Sequence, residues 1–178
     1  MSLKEFVKSE SYERYVALST SVIAVALALS SILSNQSGDD LLIFRAKANN
    51  EWSKFQSKSI KQNVFETQNE LIILMLDDER NTDTYKVKIQ KKVDYFTKEI
   101  ARYEIEKGEI KKQASSYEKT CEKADDKGNV LDLAEGLYQI AIVLSAISLI
   151  ARQGMLWVLS MVLGGGAIII TSIAFFMP

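Results

Sequence analysis

Residues 153–178, QGMLWVLSMVLGGGAIIITSIAFFMP, run 26 positions without a charge. At about 1.5 Å per helical residue such a segment exceeds the roughly 30 Å hydrocarbon core of a bilayer. Two further stretches share this character, Tyr15–Ser34 and Gly136–Ala151. The second of these covers only about 24 Å before it reaches Glu135, which places that carboxylate near the headgroups or under the shelter of protein. The expected architecture is all-α: an integral membrane protein with three transmembrane helices.

The spans share a rhythm of small side chains. In the third, Ser160, Gly164, Ala167, Thr171 and Ala174 are separated by four, three, four and three positions. In the first, Ala17, Ser21, Ala24, Ala28 and Ser31 repeat the same spacing, and the second matches more loosely through Ala134, Ala141, Ser145 and Ser148. Small residues on one helical seam let backbones approach closely in lipid, so these seams are expected to be packing faces. Gly164-Gly165-Gly166 sits on such a seam and reads as a contact site, with a hinge or gate as the alternative. Tyr12, Tyr15, Trp157, Phe175 and Phe176 are placed where interfacial aromatic belts occur.

Whole-chain composition hides this division. The chain is 25% charged and 47% hydrophobic with a net charge of −1, a balance typical of a soluble domain. Yet 18 of the 22 Lys and Arg and 18 of the 23 Asp and Glu fall between Asn35 and Val130. That neutral balance gives no bulk field for nucleic acid or an acidic surface. With one Cys and no His, neither an internal disulfide nor a zinc, haem or iron–sulfur pattern can be written, and no cofactor is expected.

The charged middle has a helical apolar stripe of its own. It begins at Leu41, Phe44, Ala48, Trp52 and Phe55 and continues through Ile60, Val64, Leu71 and Leu74. Asp77–Asp83 interrupts it with charge and with residues that compete for backbone hydrogen bonds. A second stripe follows at Ile89, Val93, Phe96, Ile100, Tyr103, Ile110, Ala114, Tyr117, Cys121 and Ala124, spaced by three or four except at Lys107. No proline precedes position 178. Two long helices joined by a short polar turn predict an extramembrane antiparallel coiled-coil hairpin between the first and second spans. Asn35–Gly38 and Asp125–Asn129 carry turn-forming residues and are expected to separate the hairpin from the spans. The resulting division is 1–14 as an N-terminal segment, 15–34 as span one, 39–124 as the hairpin, 131–151 as span two and 154–177 as span three. Arg152-Gln153-Gly154 is a minimal turn between spans two and three.

The first span exceeds a usual secretory h-region and ends in Ser30-Ser31-Ile32-Leu33-Ser34, so it reads as retained, cleavage after Ser34 being the alternative. Lys4, Lys8, Arg14 and Arg152 favour a cytoplasmic N-terminus with the hairpin outside. Tyr15–Thr20 followed by Asn50–Lys61, with its Trp-x-x-Phe-Gln-x-Lys-Ser-Ile-Lys run, resembles a bacterial family described only as domain of unknown function 4337, and the likeness extends to the paired C-terminal spans. The resemblance implies a bacterial membrane protein and brings no activity or catalytic residue; the expected location is the inner membrane.

Candidate sites each have a blander reading. Trp52, Phe55, Gln56 and Lys58 form a partner surface or, more simply, a packed edge of the hairpin. Asp125, Asp126, Asp132 and Glu135 gather acid beside a membrane boundary, as a hard-cation site or pore mouth would, or as a solvated turn and helix start would. Cys121 lies on the apolar stripe and reads as a core thiol rather than a redox group. No span has a charge at mid-depth, where proton relays and coupled transporters place theirs. The function expected is that of a non-enzymatic scaffold or assembly protein, associating with copies of itself or with another membrane complex. The alternative is an oligomeric channel with an acidic mouth.

Overall fold

A computed structural model describes residues 10–76 and 82–177. They form α1 (Glu10–Leu76), α2 (Asp83–Ala151) and α3 (Gly154–Phe175), with no strand among the described residues. Each helix contains a window long and apolar enough to cross a membrane, by length and composition. At 67 and 69 residues, α1 and α2 extend far beyond such a window.

The breaks expected at Asn35–Gly38 and Asp125–Asn129 do not form, since α1 and α2 run through both. Turn-prone residues are weak signals when no proline stops the helix, and a lone interior glycine costs only about 1 kcal/mol relative to alanine. Packing supplies more than that. Ser37 is buried, and a β-carbon on Gly128 would stand 3.9 Å from its Cβ, so the two segments expected to be loops face one another as helix. Most of the turn expected at Asp77–Asp83 lies outside the described residues. Thr82 precedes α2, its carbonyl accepting from the backbone N–H groups of Tyr85 and Lys86. The turn at Arg152 is as short as expected. Arg152 takes φ 49°, and the N–H of Gln153 reaches back to the carbonyl of Ser148, the pattern that closes a helix through one left-handed residue.

The chain divides into two compact units, one made of Met1–Leu42 with Cys121–Pro178 and the other of Ile43–Thr120. In the first, the core joins Ile23 of α1, Ala134, Tyr138 and Ala141 of α2 and Ala167 of α3. Serines join this apolar core, and large aliphatic side chains lie outside it. Ser30, Ser145, Ser148 and Ser160 are fully buried, while Leu18, Val22, Val25, Leu29 and Ile32 stand outward and Ile150 is 87% exposed. In the second unit the contacts of residues 43–76 fall on 83–120 in descending order. Phe44 meets Tyr117, Lys58 meets Glu106, Gln62 meets Glu104 and Phe65 meets Phe96.

Gly164 is where the first unit depends most on the absence of a side chain. A β-carbon there would lie 2.8 Å from Cδ1 of Ile23, whereas nothing lies within 4 Å of the same position on Gly165 or Gly166. Gly164→Leu is therefore expected to destabilise this unit by about 1–3 kcal/mol through overpacking. Gly166→Leu is expected to leave the midpoint nearly unchanged. Unfolding titrations of the two variants in mild detergent make the comparison.

Candidate functional site

The span-three seam faces inward. Ser160, Gly164, Ala167 and Ala174 are buried and Thr171 is half-buried. Its hydroxyls meet those of the other helices. Thr171 Oγ1 lies 3.2 Å from the Tyr138 hydroxyl and 3.4 Å from Ser30 Oγ, and Ser160 hydrogen-bonds with Ser145. Ser148 donates to the carbonyl of Ser145 at 2.7 Å, and Trp157 Nε1 donates to Ser19 Oγ at 3.1 Å. Hydroxyl pairs of this kind in lipid contribute on average about 0.6 kcal/mol each. They help to fix which faces of three apolar helices meet.

The span-one seam is placed the other way. Ala17, Ser21, Ala24 and Ala28 are exposed and only Ser31 is half-buried. The inward row of α1 in this unit is Tyr12, Val16, Ile23, Ser30 and Ser37. The two seams therefore do not press together. Ile23 fills the space above Gly164, and this match of a large side chain to a missing one decides the face that small-residue spacing by itself leaves open. The looser set on α2, Ala134, Ala141, Ser145 and Ser148, is wholly buried.

In the second unit, three of the four residues read as a partner surface are occupied within the chain. Trp52 Nε1 donates to Glu118 at 2.8 Å, and its ring stands edge-on to Phe55 at 5.5 Å. Lys58 pairs with Glu106 at 2.5 Å and lies over Tyr103, while Lys107 lies over Phe55. Gln56 is exposed. Phe65, which sequence reading did not assign to the stripe, anchors this unit through ring contacts with Tyr95, Phe96 and Tyr103.

The apolar stripe expected on this part of α1 is correct only to Phe55. Beyond it Ile60, Val64, Leu71 and Leu74 point outward, and the inward positions are Lys58, Gln62, Phe65, Asn69 and Ile72. Gln62 is buried and donates to both Glu66 and Glu104. That hydrogen bond, followed by one from Lys107, holds the Glu104 carboxyl below the usual carboxylate range. The hydrogen bond from Lys58 does the same for Glu106 against the opposing effect of its desolvation, with the charges of Lys58, Arg102 and Lys61 adding to it.

The acidic residues do not assemble. Asp125, Asp126 and Asp132 are exposed along one helix and Glu135 is half-buried. Asp132 accepts from Ser34 at 2.6 Å. No group of three metal-ligating side chains occurs among the described residues, so the hard-cation reading of this set is not supported by its geometry. Cys121 is half-buried rather than enclosed, its thiol donating to the carbonyl of Leu41 at 3.8 Å.

Carboxylates whose affinity for protons falls on folding add stability at neutral pH and withdraw it in acid. Glu104 and Glu106 both do so, and their contribution is present above the unfolded-state pKa of about 4.3 and disappears as pH falls through their lower folded values. The expected result is a lower thermal midpoint at pH 3 than at pH 7, followed by circular dichroism of the full chain in detergent. Replacing both by Gln is expected to narrow that difference.

A family model described as Domain of unknown function (DUF4337) matches residues 12–177. No curated protein and no solved structure matches the chain.

Proposed function

We propose that this chain, which belongs to the Domain of unknown function (DUF4337) family, is a non-enzymatic membrane assembly protein. Three helices cross a bacterial inner membrane, the N-terminus is cytoplasmic, and residues 43–120 form an extramembrane antiparallel helical hairpin. The observation that carries the membrane reading is the broad apolar outer surface of the first unit around a core that includes serines. Four serines are fully buried and bonded while Leu18, Val22, Val25 and Ile32 are more than half exposed. Water would penalise that arrangement and hydrocarbon favours it.

What remains uncovered supports self-association. The span-three seam is consumed inside one chain, so Ala17, Ser21, Ala24 and Ala28 are the small-residue face left for a second copy, or for a subunit of another membrane complex. Of the hydroxyls that a channel built from the first or third helix would turn to its pore, Ser30 and Ser160 are buried against other groups of the same chain while Ser21 and Ser172 are exposed, so the scaffold reading rests on the absence of a charge at mid-depth.

Two measurements test this. The chain is expected to stay with vesicles through alkaline carbonate washing and to leave planar bilayers silent. Release from vesicles overturns the membrane reading, and cation conduction altered by Glu135→Gln overturns the scaffold in favour of the channel. Light scattering in mild detergent is expected to show an oligomer that Ala24→Leu with Ala28→Leu reduces towards monomer at an unchanged unfolding midpoint, since both positions are outward. A monodisperse native monomer overturns self-association.

A further inference from the structure

The cations of the second unit differ in whether they have a partner. Lys54, Lys58, Arg102 and Lys107 each pair with a carboxylate of the same chain. Lys88, Lys91, Lys98, Lys112 and Lys119 are exposed, and none of them has a hydrogen bond, ion pair or ring contact among the described residues. These five lie on one outward row of α2 that advances by three and four residues in alternation from Lys88 to Lys119, and every position on it is exposed. Lys91, Lys98, Lys112 and Lys119 stand at whole heptads from one another, with a rise of about 10.5 Å per heptad. On the same row Tyr95 is 54% and Ile105 67% exposed, and Glu109 is its one acid. Beside the later part of the row an open groove of about 580 Å³ is lined by Gly108, Lys111, Lys112, Ser115, Ser116 and Lys119. A β-carbon on Gly108 would meet nothing within 4 Å, so small residues leave a depression between ammonium groups that lack counterions. Solvation alone does not call for this pattern. Lys88 with Lys91, and Lys98 with Arg102, are like-charged neighbours three and four residues apart, which by itself costs helix stability.

We propose that this row docks an acidic helix of another protein, one whose carboxylates recur every seven residues. The inference rests on the assembly reading above and names the chemistry of the partner. Charge complementarity sets the sign, because the lysines of the row have no counterion within the chain and an acidic partner supplies them. Spacing sets the form. A helix laid along the row repeats at the same rise per heptad, so its carboxylates meet successive lysines while its aliphatic side chains cover Tyr95 and Ile105. A nucleic acid fits less well. The cations form a single line bordered by Asp94, Glu99 and Glu106 and interrupted by Ile105, which gives no broad positive field. The same row of a second copy is excluded as the occupant, since like charges would face each other in either direction.

The test is fluorescence anisotropy of a labelled peptide on the full chain in mild detergent. The probe is a designed helix with glutamate at seven-residue spacing on one side and leucine between. It is expected to bind, and a scrambled peptide of identical composition to bind about tenfold more weakly. Lys112→Glu with Lys119→Glu is expected to weaken binding of the ordered peptide about tenfold. Arg45→Glu with Lys61→Glu, the same change of charge on α1, is expected to alter it little. All four positions are exposed, so the helical content by circular dichroism is expected to hold. Equal binding of the ordered and scrambled peptides, or equal loss in the two double variants, shows diffuse attraction and overturns the docking row. A single-stranded oligonucleotide of the same length that binds more tightly than the ordered peptide overturns it in favour of a nucleic acid. Light scattering on the same samples separates this inference from the reading beneath it. An oligomer that does not bind the ordered peptide overturns the docking row and leaves assembly standing, whereas a monomer that binds it overturns self-association and leaves the docking row standing. Loss of the oligomer in Lys112→Glu with Lys119→Glu identifies a second copy as the occupant and overturns the proposal.

Discussion

The constraint on which the other features depend is a seven-residue spacing of inward positions. On α1 the row Val16, Ile23, Ser30 and Ser37 in the first unit has the same period as Phe44, Glu51, Lys58, Phe65 and Ile72 in the second, and every one of these is buried or half-buried. On α2 the row is Ile89, Phe96, Tyr103, Ile110 and Tyr117, then Ala124, Leu131, Tyr138 and Ser145. On α3 it is Ser160, Ala167 and Ala174, accompanied by Trp157, Gly164 and Thr171. A seven-residue period keeps a seam facing its partner over many turns, which a 3.6-residue helix with irregular spacing cannot do. Identity at those positions then differs between the units: serine and alanine accompany the larger apolar residues in the first, aromatic and charged side chains accompany them in the second.

This explains what was and was not legible in the sequence. The three apolar windows and the stripe from Ile89 to Ala124 could be read because apolar residues occupy the inward positions themselves, and even the gap at Lys107 is an inward position filled by a half-buried side chain. The distal part of α1 misleads for the opposite reason. Its inward seam holds Lys58, Gln62 and Asn69, so a search for apolar periodicity moves to the outward seam at Ile60 and Val64. The breaks at Asn35–Gly38 and Asp125–Asn129 fail as expectations because Ser and Gly serve two purposes. They are turn formers in isolation and close-packing residues in a helix, and only the partner helix decides between these uses.

The span-one seam shows the same limit on spacing arguments. Ala17, Ser21, Ala24 and Ala28 have the rhythm of a packing face, yet the neighbouring row containing Ile23 is the one turned inward. Spacing identifies faces on which backbones can approach. It does not choose among two such faces on one helix, and the choice here accords with the notch at Gly164, which accepts the Ile23 side chain and could take a β-carbon only if that side chain shifted.

Polar residues at inward positions cost stability and add specificity. A pair of long helices with only aliphatic seams could slide by a heptad with little penalty, because each layer resembles the next. In the second unit Gln62 reaches both Glu66 and Glu104, Lys58 reaches Glu106, and Phe65 is enclosed by rings from three positions of α2. A slip of seven residues would separate all of these at once and leave the buried amide of Gln62 facing a different turn. Register within the chain is therefore set by polar pairs, which a seam of like aliphatic layers could not do alone.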